Sequence, residues 1–421
     1  MPLASPLRCH LAVLTQCLAL WGLGSACAST PPMPGPAGAP VPAHPPAEAR
    51  VDARAIIADA RKIATREGVA ELLEIPVGGT KQWISVRGRD RRNPVLLMIH
   101  GGPASPELPT SWAFQSGWED FFTVVQWDQR GSGKTYNAND PALVGPTLSL
   151  ERITEDAVEV VQYLRRRYDK EKVFVLGHSW GSLVGLGLAQ RHPELLFAYV
   201  GMGQVISGQE NERVSYALTL AAAEAAHNET ALQELKAIAP YPEKDGSLPL
   251  EKIGIERKWS NTFGGLVHGR DDVAHFLNLA ELSPDYSAAD VAAIELGSQL
   301  SLPHLLPELG RFDFTQVTRF GCPLVIFAGR YDTTTPSQVP AQWLTRVSAP
   351  SKRLVWFEHS AHMMMLEEPG RVLLHLVQDV LPLAAGGSAQ APFARTETDE
   401  LAASPPRGIL HRLAGAGPHG L

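Results

Sequence analysis

The chain has 421 residues, of which 44% are hydrophobic and 19% charged, and its formal net charge is −7. This balance excludes a mostly disordered chain, a polytopic membrane protein and a disulfide-dense scaffold. The acidic net charge, spread without long runs of one sign, argues against nucleic acid as a partner. A folded body of this size can bury a full hydrophobic core.

The N-terminal residues have the pattern of an export signal. Arg8 supplies a positive charge, and residues 11–24 form an apolar run that is too short to span a bilayer. Small residues flank a predicted cleavage site after Ala28, so residues 1–28 are interpreted as a signal peptide of a periplasmic or extracellular protein. Two alternatives stay open: lipidation at Cys27, which would anchor the chain to a membrane, and retention of the apolar segment.

Biased composition then separates the ends of the chain from one folded body. Residues 29–50 are a Pro/Ala-rich linker, and residues 386–421 are a Gly/Ala/Pro-rich tail that we expect to be disordered. Cleavage after Ala28 would leave Cys322 as the single cysteine, which excludes an intrachain disulfide. Cys322 lies just before an apolar strand, Pro323 to Ala328, and is therefore predicted to be a small core residue. No Cys/His spacing predicts a metal, and no cofactor is expected.

Apolar runs alternate with helical patterns through the body. Runs that are apolar on both faces are typical of buried parallel strands. Such runs occupy residues 95–99, 121–127, 173–176, 196–202, 324–328 and 354–357. Helical patterns at 150–168 and 183–191 lie between them. The alternation predicts an α/β fold with a mostly parallel central sheet flanked by helices, divided between residues 51–204 and 317–385.

Two further segments complete the predicted architecture. Residues 72–86 alternate around Gly78-Gly79 and predict an antiparallel hairpin that leads into the sheet. Residues 205–316 are rich in Ala, Leu and Glu and lack a strong strand signal, which predicts a helical cap inserted over the sheet. A separate all-helical domain is the alternative, but the return of core strands after this segment favours an insertion.

A G-x-S-x-G motif, Gly177-His178-Ser179-Trp180-Gly181, lies between a predicted strand and a helix rich in small residues. This context predicts a cramped turn that exposes Ser179 as a nucleophile, because side chains in place of the glycines would clash. The alternative is a serine that only caps the helix.

A serine nucleophile needs a base and an orienting acid, which on this architecture follow in the chain order Ser, Asp or Glu, then His. Asp332 follows the fifth core strand and His362 the sixth, at the edge of the sheet where sites of α/β proteins lie. Asp332 has helix capping as its alternative role, and Asp313 is a weaker rival because no apolar strand leads into it. His359 lies in the same loop as His362 and competes with it as the base.

Acyl transfer also requires N–H donors for the negative charge that develops on the carbonyl oxygen. The backbone amide of Trp180, directly after the nucleophile, is one predicted donor, and the Gly101-Gly102 loop after the first core strand supplies the other. Asp128-Gln129-Arg130 precedes a segment that superficially resembles a phosphate loop. That loop would require glycine at position 128. We therefore interpret this tripeptide as a structural polar cluster beside the active site.

Three motifs in this order resemble the prolyl aminopeptidase (proline iminopeptidase) family of α/β-hydrolases. They are His100-Gly101-Gly102-Pro103, Asp128-Gln129-Arg130-Gly131-Ser132-Gly133 and Gly177-His178-Ser179-Trp180-Gly181. The segments Gly329-Arg330-Tyr331-Asp332 and Ser360-Ala361-His362 extend the resemblance over the body. Two departures are Ala104, where the family usually has glycine, and a cap that does not reproduce the family's aromatic and acidic segments.

The resemblance implies a nucleophile at Ser179, a triad completed by Asp332 and His362, and an oxyanion hole formed by Gly102 and Trp180. A histidine after two small residues belongs to the family pattern, which favours His362 over His359. Family members remove N-terminal proline from short peptides and hold the free amine with carboxylates of the cap. An exported esterase or amidase acting on small acyl substrates is the alternative, and a catalytically silent binding protein is a third hypothesis.

An aminopeptidase must hold a cationic amine beside its nucleophile, which is unfavourable without a paired carboxylate. Glu210 and Glu212, in the acidic segment that opens the predicted cap, are the candidates. Residues two apart on a helix point in different directions, so at most one of them should contact the amine. The alternative for both is a solvated position on the first cap helix.

Overall fold

A computed structural model describes residues 52–271 and 274–385. The predicted signal peptide, linker and C-terminal tail lie outside these residues. Within them, eight strands form one sheet. The strands are β1 (Val69–Val77), β2 (Thr80–Gly88), β3 (Val95–Ile99), β4 (Thr123–Asp128), β5 (Val173–His178), β6 (Leu196–Met202), β7 (Leu324–Gly329) and β8 (Lys352–Phe357).

The sheet is antiparallel at one edge and parallel elsewhere. Its order is β1-β2-β4-β3-β5-β6-β7-β8, with β1 antiparallel to β2 and β2 antiparallel to β4. All other neighbouring strands are parallel. The predicted hairpin is present, and its turn places Gly78 and Gly79 at φ values of 53° and 74°, where glycine is favoured. The predicted α/β fold with a mostly parallel sheet is therefore confirmed.

The α-helices of the described residues either flank the sheet or lie in the segment between β6 and β7. They are α1 (Ala53–Ala60), α2 (Gly133–Asn137), α3 (Pro141–Val144), α4 (Leu150–Arg167), α5 (Trp180–Arg191), α6 (Gly208–Ala225), α7 (Glu229–Ala237), α8 (Leu250–Thr262), α9 (Ala274–Glu281), α10 (Ala288–Arg311), α11 (Gln338–Arg346), α12 (Met364–Glu367) and α13 (Pro369–His375). None of them is both long and apolar enough to cross a membrane.

The core explains why the buried runs were predicted well. β3, β4, β5 and β7 are buried along their whole length, as runs apolar on both faces require. One correction concerns the second run, because Phe121 and Phe122 precede β4 and follow a 3₁₀ turn at Gln115–Asp120. Cys322 lies in the core as expected, and burial raises the pKa of its thiol to about 12.

The elements described between β6 and β7 are the helices α6 to α10, so a helical cap is inserted between core strands. The cap has a small apolar core of its own, which includes Leu235, Ile253 and Trp259. Its last helix, α10, packs on α2 so closely that a Cβ on Gly297 would overlap the carbonyl oxygen of Gly131. The cap is thus fixed directly on the loop that follows β4.

The predicted polar cluster, which begins at Asp128 at the end of β4, strengthens this contact between the sheet and the cap. Arg130 forms a buried ion pair with Asp156, with Nε 2.7 Å from Oδ2 and Nη2 2.9 Å from Oδ1. Asp128 accepts a hydrogen bond from the Lys134 amide at 2.8 Å and another from the hydroxyl of Tyr286, which precedes α10. The cluster therefore joins the sheet to the cap.

Asp128 should make stability depend on pH. Burial raises the pKa of Asp128 to about 7, although the Tyr286 and Lys134 hydrogen bonds favour its ionised form. A carboxyl group with a raised pKa in the native state stabilises the fold at low pH and loses that contribution as the pH rises through the raised value. We expect the melting temperature to fall from the ordinary aspartate pKa of 3.8 up to about pH 7, to level off above that, and to fall less in Asp128→Asn, as measured by thermal denaturation. Parallel pH curves for the two proteins would contradict this expectation.

Candidate active site

Ser179 lies on a sharp turn between β5 and α5. Its backbone has φ 53° and ψ −121°, in a region that residues other than glycine rarely adopt. A Cβ on Gly177 would lie 2.5 Å from the carbonyl oxygen of Gly181, and one on Gly181 would overlap the carbonyl oxygen of Ile99. The two glycines of the motif are therefore required for the close approach of α5 to the sheet, and Ser179 projects from the turn between them.

Asp332 and His362 are joined by a hydrogen bond in the loops after β7 and β8. His362 Nδ1 donates to Asp332 Oδ2 at 2.8 Å, and both side chains are buried. Thr335 adds two further bonds to the carboxylate, from its amide to Oδ1 and from its hydroxyl to Oδ2, both at 2.7 Å. With Nδ1 carrying the proton, Nε2 of His362 is free to accept one.

His359 and Asp313, the alternatives predicted for the base and the acid, lie apart from this pair. His359 is exposed, and its amide donates to Glu368. Asp313 is also exposed, and its carboxylate accepts a hydrogen bond from the amide of Thr315 at 2.8 Å. Within the described residues, neither side chain forms a hydrogen bond with Asp332 or His362.

Ser179 and His362 meet at the carboxyl end of β6. The Ser179 amide donates to the carbonyl oxygen of Met202 at 3.0 Å. A Cβ on the next residue, Gly203, would lie 2.7 Å from Cε1 of His362. No hydrogen bond joins the Ser179 hydroxyl to the His362 ring in the described part of the chain. Such bonds are often long without substrate and tighten when it binds.

The loop after β3 is held rigidly beside the nucleophile. The Gly101 carbonyl accepts a hydrogen bond from His100 Nδ1 at 2.8 Å, and the Gly101 amide donates to Glu107 Oε1 at 3.2 Å. Burial lowers the pKa of His100 from 6.5, which favours the neutral ring. A Cβ on Gly101 would lie 3.1 Å from Cβ of Ser179, so the loop approaches the nucleophile closely.

The two predicted oxyanion donors are the amide of Gly102 in this loop and the amide of Trp180 at the start of α5. Gly102 has φ 117°, a conformation that favours glycine. Trp180 is the first residue of α5, so its amide belongs to the first-turn N–H groups that have no acceptor within the helix. Both amides therefore remain predicted donors to a substrate oxygen.

Thr335 and Glu107 also contact the site, although neither is predicted from the sequence. Thr335 follows Asp332 by three residues, a spacing at which aspartate commonly accepts from a backbone amide, so a signal was present. Glu107 contacts the Gly101 amide and the His178 ring, and no pattern in the sequence connects these residues.

Glu210 and Glu212 point in different directions, as expected for residues two apart. Glu210 is partly exposed and forms an ion pair with Arg213, at 2.8 Å from Nε and 2.6 Å from Nη2. It lines a cavity of about 990 Å³ between the cap and the loop that contains Asp332. Glu212 is only 1% exposed, and at two residues from Glu210 it faces a different direction on α6.

Glu212 belongs to a buried acidic cluster inside the cap. It accepts hydrogen bonds from Arg257 and Tyr241, and from Asn211 Nδ2 at 3.0 Å. Arg257 also pairs with Glu256, so two carboxylates share one guanidinium group. Burial raises the pKa of Glu256 from 4.5, and the negative charge of Glu212 adds to this shift whereas Arg257 opposes it.

Comparison with known proteins shows which family the chain resembles. Residues 94–369 match the model of the alpha/beta hydrolase fold family. A protein of Bacillus subtilis strain 168 named probable aminopeptidase YbaC is 31% identical over 309 residues, which cover 73% of this chain and 95% of that protein. A proline iminopeptidase of Heyndrickxia coagulans is 26% identical over 292 residues, which cover 66% of this chain and 87% of that protein.

A solved structure is also similar. The proline iminopeptidase of Mycobacterium smegmatis superimposes with a TM-score of 0.53 at 19% identity, over 75% of this chain and 100% of its own. At this identity the likeness supports the fold alone. The family match and the first relative are sufficient for the assignment, and the resemblance stated from the motifs is confirmed. The chain belongs to the α/β-hydrolase family.

Proposed function

We propose that the protein is a serine aminopeptidase that releases N-terminal proline from short peptides. The observation that carries the proposal is the buried hydrogen bond between His362 and Asp332, which adjoins the strained turn of Ser179. The relative named probable aminopeptidase supports the peptide substrate, because the match spans 95% of its length. The motifs and the relatives named proline iminopeptidase support the proline preference.

In the proposed acylation step, Ser179 Oγ attacks the carbonyl carbon of the first residue while His362 Nε2 takes the hydroxyl proton. Negative charge develops on the carbonyl oxygen and is stabilised by the amides of Gly102 and Trp180. His362 then gives its proton to the departing amine, which releases the shortened peptide. Asp332 stabilises the imidazolium that forms between the two transfers.

Deacylation repeats the cycle with water. His362 takes a proton from a water molecule, whose oxygen attacks the acyl carbon, and returns a proton to Ser179 as the ester bond breaks. The free amino acid leaves and the enzyme regains its starting state. The rigid Gly101 loop requires no reorganisation during either step, which is what makes such donors effective.

A comparison of three substrates tests this function. We expect the full chain to cleave prolyl-naphthylamide with a kcat/KM well above that for alanyl-naphthylamide and for nitrophenyl acetate. Cleavage of nitrophenyl acetate, with no cleavage of either aminoacyl-naphthylamide, would instead identify an esterase. A protein that reacts with none of these and does not bind a fluorophosphonate probe would be catalytically silent.

We also propose that Glu212, rather than Glu210, takes the charge of the substrate amine. Arg213 already neutralises Glu210 at the surface. Among the described residues, Glu212 and Glu256 both pair with Arg257, and a substrate ammonium group would offset the negative charge that remains when both carboxylates are ionised. Asn211, in the same turn as Glu212, donates to the carbonyl oxygen of Thr334, which keeps this turn beside the loop of Asp332.

Glu212→Gln should lower kcat/KM for prolyl-naphthylamide by about 10- to 100-fold, as expected for the loss of a charged hydrogen bond. It should spare an N-acylated proline ester, which carries no amine charge. Glu210→Gln is the matched control and should change neither rate. Melting temperatures show whether the buried variant folds, and equal effects on both substrates would remove Glu212 from the amine site.

A further inference from the structure

A second pair of a carboxylate and an imidazole lies beside His362. Glu107 follows β3 and His178 immediately precedes Ser179, and both side chains are buried. His178 Nδ1 is 2.6 Å from Glu107 Oε1, and His178 Nε2 is 3.2 Å from the carbonyl oxygen of His362. The rings of His178 and His362 are in contact, with centroids 4.8 Å apart. The proposed mechanism gives neither Glu107 nor His178 a role.

The hydrogen bonds restrict where the protons of this pair lie. The carbonyl oxygen of His362 is only an acceptor, so His178 Nε2 must carry a proton. One more proton lies between Nδ1 and the carboxylate. Burial opposes a charge on His178, but Glu107 outweighs it, and the pKa of His178 is raised from 6.5. Both the contacts of the two ring nitrogens and this shift favour an imidazolium that donates from both nitrogens.

Other titratable groups around the pair fit this assignment. His100 is neutral, because burial lowers its pKa, and its Nε2 accepts a hydrogen bond from the amide of Gln129. Asp332, which is hydrogen-bonded to His362, attracts a positive charge on His178.

Glu107 contacts two parts of the site with one oxygen atom. Its Oε1 accepts a hydrogen bond from the Gly101 amide as well as contacting His178, so one carboxylate contacts both the oxyanion loop and His178.

His362 is consequently held from two directions. Asp332 binds its ring at Nδ1, whereas His178 binds its main chain at the carbonyl oxygen. The first contact sets the tautomer and the second sets the position of the loop after β8 relative to Ser179. Because His178 is the neighbour of Ser179 in the chain, this bond ties the nucleophile turn to the base.

We propose that Glu107 and His178 are positioning residues for the reaction: the carboxylate keeps His178 protonated at both nitrogens, and His178 holds the main chain of His362 at the nucleophile. The proposal rests on the proposed function only in that Ser179 and His362 react together. It does not depend on proline specificity or on a peptide substrate.

Two substitutions of His178 separate this role from simple packing. The amide nitrogen of glutamine occupies the place of Nε2 and can still donate to the carbonyl of His362, whereas that of asparagine occupies the place of Nδ1 and reaches only Glu107. We expect His178→Asn to lower kcat for nitrophenyl acetate and the rate of fluorophosphonate labelling by about 10- to 100-fold, since small misplacements at a site have effects of this size. The KM should change little, and His178→Gln should restore most of the rate.

Glu107→Gln tests the charge. A neutral partner no longer holds the second proton, so we expect histidine NMR signals to show His178 neutral at pH 7 in this variant and doubly protonated in the native chain. A group with a raised pKa loses its proton as the pH rises through that value. The native kcat/KM should therefore decline on the alkaline side, and this decline should be absent in Glu107→Gln.

His375 and Asp379 supply a control, because they form a similar pair at 2.7 Å on the helical segment after β8. His375→Asn should leave kcat and the pH profile unchanged. Equal rates for His178→Asn and His178→Gln, or the same alkaline decline in the native chain and Glu107→Gln, would overturn the proposal. Normal fluorophosphonate labelling without cleavage of prolyl-naphthylamide would refute the aminopeptidase function and leave this test valid.

Discussion

Ser179→Ala is expected to abolish turnover of prolyl-naphthylamide and nitrophenyl acetate alike. Without the nucleophile, a site of this kind retains only about 10³- to 10⁴-fold acceleration over water, from its oxyanion donors and from binding. The measurement is kcat for both substrates together with the mass of the protein after fluorophosphonate treatment. Native-like turnover in this variant would exclude a serine hydrolase mechanism.

The same substitution should leave the fold intact. The Ser179 hydroxyl forms no hydrogen bond in the described residues, and the strained backbone of the turn is held by the contacts around Gly177 and Gly181 rather than by this side chain. Ser182, three residues further along α5, is a matched control because it is buried and its hydroxyl accepts the Val205 amide at 3.0 Å. Ser182→Ala should lower the melting temperature and keep the label, the reverse of Ser179→Ala.

The sequence predicts the strands well where burial alone determines them. The bounds of β3 and β6 agree with the runs at 95–99 and 196–202, because every residue in those runs is apolar or small. β8 begins earlier than its run, at Lys352, because an edge strand keeps charged residues on its exposed side. The helix after the nucleophile begins at Trp180 rather than 183, since its first turn contains a glycine that periodicity does not recognise.

The site residues also differ in how far the sequence predicts them. Ser179, Asp332 and His362 could be chosen because each follows a strand within a recognisable segment, and the structure brings the last two into contact. Glu107 could not be chosen, because its partner His178 lies 71 residues away and only the parallel order of β3 and β5 brings them together. The pairing of Glu212 with Arg257 could not be predicted from the sequence either, because Arg257 comes from a different cap helix, 45 residues further along the chain.

His362→Ala should be as damaging as Ser179→Ala, because a nucleophile without its base is nearly inactive and the two act as a unit. The double variant should then be no slower than either single variant. His359→Ala is the internal control, since the same change is made three residues earlier on an exposed side chain that does not contact Asp332.

Steady-state kinetics on nitrophenyl acetate, with melting temperatures for all variants, distinguish the outcomes. If His359→Ala proved the more damaging, the assigned base would be wrong, and the hydrogen bond between His362 and Asp332 would be only structural. If the losses of Ser179 and His362 multiplied, the two side chains would act independently. We expect neither, because the Ser179 amide is bonded to Met202 and the ring of His362 packs against the next residue, Gly203, so both reacting groups are positioned by the same end of β6.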